Sequence, residues 1–156
     1  MKWIDGSEID IKAFTGEEIC EKLALEMYSS ERDKWLECAD FIQNALYITD
    51  FDTECNMEGF STPYTGSFTT DYYSKIINAF RTIGDDNDAD ILSEALKLDE
   101  HYSNLLENTE DEDESERLED EFNEKIEELE EKLYLNTDAD IWSLLYKYLD
   151  QQISRL

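Results

Sequence analysis

The chain has 156 residues, enough for one domain of ordinary size, and carries 41 Asp and Glu against 13 Lys and Arg for a formal net charge of −28. Hydrophobic residues make up 40% and aromatics 12%, so there is material for a packed core and the charge does not imply disorder. One Pro and five Gly are too few for a turn-rich sheet protein, and the acidity disfavours direct contact with nucleic acid or anionic lipid.

Residues 1–14 carry no readable periodicity. Thr15 and Glu18 then form a capping box, which predicts a helix from Gly16. Its apolar stripe is Ile19, Cys20, Leu23, Ala24 and Met27. Ser29 and Ser30 break the pattern and cap a second helix carrying Trp35, Cys38, Ala39, Ile42, Ala45 and Leu46. Residues 50–69 read as a turn-rich segment pinned by Phe51, Phe60, Tyr64 and Phe68. Thr70 or Asp71 caps the next helix, through Tyr72, Tyr73, Ile76, Ile77, Phe80 and Ile83. Gly84 stands where a left-handed residue ends it.

A further helix follows from about Asp88, through Ile91, Leu92, Ala95, Leu96 and Leu98. Residues 107–131 hold fifteen acids and two bases, Arg117 and Lys125. The stretch 107–114 has no apolar period and reads as a mobile acidic loop. From about Glu114 to Leu133 the pattern changes. Leu118, Phe122, Ile126, Leu129 and Leu133 form a narrow apolar seam with an acidic back. The last helix starts near Asp138 and runs through Ile141, Trp142, Leu144, Leu145, Tyr148 and Leu149. The expected fold is all-α: a single helical domain over 1–156, a bundle of about six to seven helices with a turn-rich aromatic segment near 50–69.

Cys20, Cys38 and Cys55 are odd in number and widely spaced, the pattern of buried reduced thiols. The first residues lack the apolar run of a signal peptide, and no stretch approaches a transmembrane span. A cytoplasmic location is the expectation.

The chemistry expected of an enzyme is missing. His101 is the only histidine, and no Ser or Cys sits in a nucleophile context. The ligand spacing of zinc and the glycine loops that cradle phosphates are absent. Two acidic runs begin like a calcium loop. From Asp86 the sixth and twelfth positions are Ile91 and Lys97, and from Asn136 they are Ile141 and Lys147, where Gly and Glu are required. No catalytic residue, metal site or cofactor is expected, and the residues specify no oligomeric state.

The acids themselves are the remaining candidate. On the helix from Glu114, acids three or four positions apart are surface neighbours, spaced roughly 4.5–6 Å along the axis. Phosphates of one DNA strand advance on a comparable scale, about 3.4 Å of rise. Glu116, Glu119, Asp120, Glu124, Glu127, Glu128 and Glu131 are therefore the candidate partner-binding residues. A solvated helix back would also be rich in Glu, and solubility or high-salt adaptation would also select acids.

Residues Glu54-Cys55-Asn56-Met57-Glu58-Gly59-Phe60, the helix ending in Ile83-Gly84 and the run Ile91-Leu92-Ser93-Glu94-Ala95 carry a resemblance. They resemble a bacterial domain-of-unknown-function family that includes the C-terminal domain of an acidic DNA-mimic protein. That family's motif reads Val-Asn-Asn-Gly-Gly-Phe, then an aromatic pair and a helix closing in Ile-Gly. Asn56, Gly59, Phe60 and Gly84 match it; Cys55, Met57 and Glu58 depart from it. The similarity spans about residues 30–150. It implies an all-helical fold in which Asn56 and Gly59 shape a tight turn and Phe60 anchors it.

Three functional expectations follow. The first is a non-enzymatic acidic module that binds a basic protein, as a DNA mimic occupying a DNA-binding face. The second is an immunity-type or other interaction protein that neutralises a basic partner. The third is an enzyme that uses carboxylates on a cationic or metal-bound substrate.

Overall fold

A computed structural model describes residues 1–134 and 137–156. Seven α-helices follow in order: α1 Gly16–Glu26, α2 Arg32–Trp35, α3 Asp40–Glu58, α4 Thr70–Thr82, α5 Asp86–Glu107, α6 Glu112–Glu130 and α7 Ile141–Ser154. There is no strand among the described residues, and the fold is the expected all-α bundle. No helix among them is long and apolar enough to cross a membrane.

The helix boundaries follow from capping chemistry. The Thr15–Glu18 box closes reciprocally at the start of α1, as read from the sequence. The Thr69 side chain, rather than Thr70 or Asp71, caps α4 by accepting from the Tyr72 N–H at 3.1 Å. Gly84 ends the α4 turn at φ 92°, the left-handed geometry expected of it.

One core runs from Trp3 to Leu149. Phe51 of α3 meets Phe60 and Phe80 edge-on, at centroid distances of 6.2 and 5.6 Å. α7 closes against α1 by close approach. A Cβ on Gly16 would lie 2.3 Å from the Tyr146 carbonyl oxygen, so only glycine fits there. α5 and α6 form an antiparallel hairpin: Tyr102 meets Phe122 near the middle, and Asn87 reaches the Lys132 carbonyl at the open end.

Three boundaries differ from the sequence reading. The second helix is broken in two. Residues 36–39 leave the helix between α2 and α3, where the Gln43 amide holds the Cys38 carbonyl at 2.7 Å. α3 then continues to Glu58, so half of the expected turn-rich segment 50–69 is helical, and the buried Phe51 lies inside it. Asn56 is accordingly in the last turns of α3 and exposed, not in a tight turn. Gly59 is the C-terminal cap at φ 86°, and Phe60 is the buried anchor. Half of the stretch 107–114 is likewise helical: residues 108–111 connect α5 to α6. Asp111 caps α6, and Glu112, Asp113 and Glu114 sit at its N-terminus, where the helix dipole favours acids.

The N-terminal segment, which had no readable pattern, is tied down. Lys2 bridges Glu8 in antiparallel fashion, while Trp3 and Ile4 are buried. The Trp3 indole N–H donates to Glu26 of α1 at 2.7 Å.

Candidate functional site

The chemistry of α6 starts with its seam. Leu118, Phe122 and Ile126 are buried against α5, fixing which way the helix faces. At 3.6 residues per turn, Glu116, Asp120, Glu124, Glu127 and Glu131 fall within an arc of roughly 80° on the opposite side. All five are exposed. They form a row roughly 22 Å long, with steps of one turn. Glu119 and Glu128 are exposed too, but lie roughly a quarter turn to either side of the row. The structure thus unites five of the seven expected residues and sets two on the flanks.

The row carries no basic partner. Among the described residues, no ion pair involves its five acids. Of the two bases on the helix, Lys125 makes no ion pair among the described residues, and Arg117 is occupied elsewhere. Its Nε–H donates to Glu114 at 3.0 Å and its Nη1 to Glu121 at 3.2 Å. The hydrogen bond from Arg117 holds the Glu114 carboxyl below its ordinary range. Sequence reasoning missed this pairing, although the acids three before and four after Arg117 were visible.

The acid row works against helix stability. Its members stand three and four residues apart, where like charges repel. Glu130 and Glu131 sit at the negative end of the helix dipole, and the last turn has no base.

Acid is not spread evenly over the protein. A cleft of about 880 Å³ between α3, α4 and α7 is lined by amides and hydroxyls, including Gln43, Asn44, Asn78 and Tyr148. It carries one acid, Asp40, and two bases, Lys75 and Arg155. On α5, Asp86 and Asp90 are both bound by Arg81.

Other polar groups serve the fold. Asp50 of α3 is buried and accepts from Tyr28 at 2.8 Å, from Arg32 at 2.9 and 3.1 Å, and from Tyr72. Asp99 accepts from Thr62 at 2.9 Å and from the Tyr64 N–H at 3.2 Å, holding the segment after α3. Burial pushes the thiols of Cys20 and Cys55 up to about 12, which leaves them poor nucleophiles. Cys20, Cys38 and Cys55 are all unbridged. His101 is exposed on α5, its ring edge-on to Tyr102.

Among the described residues, no three His, Cys, Asp or Glu side chains are grouped as metal ligands. The acidic run from Asp86 lies within α5, so it is helix rather than a calcium loop. The run from Asn136 begins outside the described residues.

No curated protein and no solved structure matches the chain. The family model described as DMP19-like protein matches residues 37–152, which includes α3 to α6 and nearly all of α7. With most of its length matched, the chain belongs to the DMP19-like protein family.

Proposed function

We propose that this protein is a non-enzymatic acidic binding module, a DNA mimic whose α6 row occupies the DNA-binding face of a basic protein. The observation that carries the reading is the row itself: Glu116, Asp120, Glu124, Glu127 and Glu131, exposed, aligned and unpaired by any described base. One carboxylate per roughly 4–5 Å of axis approaches the linear charge density of a single DNA strand. The arrangement costs helix stability through repulsion along one face. Solubility would be served equally by scattered acids, so alignment on one helix favours recognition.

Lys and Arg side chains evolved for phosphates would meet carboxylates of similar spacing. Such an interface forms quickly and weakens with salt, because the charges are solvent-exposed and screened over about 8–10 Å at moderate ionic strength.

The test is capture from a cell extract with the immobilised protein at low and at high salt. A retained DNA-binding protein released by salt supports the reading. A retained basic protein with no DNA affinity supports the neutralising role instead. Retention of neither overturns both.

A further inference from the structure

Two carboxylates without a counter-ion lie inside the protein where α5 meets the end of α6. Asp85 is 1% exposed and Asp88 is 0%. Asp85 caps α5, its Oδ1 accepting the Asp88 N–H at 3.1 Å. Asp88 Oδ1 accepts the Tyr134 N–H at 2.7 Å and an amide hydrogen of Asn87 at 3.2 Å. The same Asn87 amide donates to the Lys132 carbonyl at 3.1 Å. Together these contacts fasten the chain just beyond α6 to the start of α5.

The second oxygen of each acid is left over. Among the described residues, Asp85 Oδ2 and Asp88 Oδ2 are both buried and accept from no donor. The two residues stand within one turn of each other at the start of α5, joined by the Asp88 N–H bond to Asp85 Oδ1. Two ionised carboxylates so placed would repel out of water, with neither charge compensated. No base among the described residues pairs with them. Arg81, at the end of α4, pairs with Asp86 and Asp90 outside. Lys132 is exposed and offers its carbonyl. From α3 the facing group is Cys55, which feels Asp88, Glu130 of α6, Asp52 and Glu54, all negative. Asp86 adds a further negative charge beside Asp85. A hydrogen between the two carboxyl groups supplies the missing donor and removes one charge.

We infer that Asp85 and Asp88 share one proton in mildly acidic solution, forming a carboxyl–carboxylate lock that holds the end of the acidic helix against α5 and loosens when the proton leaves. Burial first, then the hydrogen bond and charge of Asp88, push the Asp85 carboxyl up to about 7. The native value lies above the unfolded one, so the native state holds more protons between roughly pH 4 and 7. The stability the proton contributes is complete below the unfolded value and is lost as pH rises through about 7. The lock is independent of what α6 binds. Its consequence for Glu131, at the locked end of the row, rests on the binding role proposed above.

The test is a carbon-13 NMR titration of the Asp85 and Asp88 carboxyl groups in the whole chain, with melts of wild type and Asp85→Asn. Asparagine keeps the cap and donates an N–H where the proton stood. One near-neutral step, seen at both carboxyls and at the Tyr134 amide, is the expected result. Asp85→Asn should abolish the step and melt above wild type at about pH 8, the gap closing toward about pH 5. Ordinary titration of both carboxyls near about 4 overturns the lock. So does a near-neutral step that disappears on adding calcium or magnesium, since the oxygens would then hold a cation. If Asp85→Asn does not fold, the wild-type titration decides alone.

Discussion

Arg117 is bound to Glu121, one helical turn further along α6, at 3.2 Å, and to Glu114 one turn back. The pairing spends Arg117 on acids beside the row rather than on the row itself. Arg117→Gln should therefore strengthen capture of a basic partner at low salt, because Glu114 and Glu121 become free carboxylates. Comparing retained partner for the two proteins at equal ionic strength checks this.

The same row should cost the helix stability. Glu124→Gln removes repulsion with Asp120, Glu127 and Glu128, each three or four residues away. The variant should melt above wild type at low salt, and the difference should shrink as salt screens the row. Thermal melts across a salt series measure it. Equal melting at low salt would mean the acids are too well solvated to repel.

Gly16 tests the closure of the bundle. Its N–H donates to Asp150 of α7 at 2.6 Å, and a Cβ would meet the Tyr146 backbone oxygen and the Leu149 side chain. Gly16→Ala should cost roughly 2–3 kcal/mol in urea unfolding, since a backbone atom cannot step aside. Gly84 gives the contrast. Nothing lies within 4 Å of a Cβ there, yet φ is 92°. Gly84→Ala should cost about 1–2 kcal/mol through conformation alone.

Asp50 ties three elements together, so its loss leaves Arg32, Tyr28 and Tyr72 without their acceptor. Asp50→Ala should destabilise by about 3 kcal/mol. Arg32→Ala should cost less, because Tyr28 and Tyr72 still donate to the buried carboxylate. The order of the two unfolding midpoints checks the asymmetry.

Periodicity and capping made much of the fold legible. The box at Thr15 and Glu18, the glycine after Ile83 and the seam from Leu118 to Ile126 all act locally, and local rules read them correctly. The errors came where tertiary contacts overrode local chemistry. Asn56 and its neighbours looked like turn formers, but burial of Phe51 against Phe80 carries α3 on to Glu58. The acids at 112–114 looked too polar for helix, yet the N-terminal dipole welcomes them.

The candidate surface was legible in composition and only partly in geometry. Spacing placed seven acids on one helix, and the seam residues then separated five from Glu119 and Glu128. The Asp85–Asp88 pair was out of reach. Its spacing is that of any helix cap, and nothing local tells that the cap is sealed beneath Tyr134.

The central claim is that the α6 row stands in for a DNA strand. The most direct measurement is capture of a DNA-binding protein by wild type and by a variant carrying Asp120→Asn, Glu124→Gln and Glu127→Gln. Wild type should capture such a protein at low salt and release it to high salt or to added duplex DNA, and the variant should lose it. Equal capture by both proteins, or capture that duplex DNA cannot displace, would contradict it.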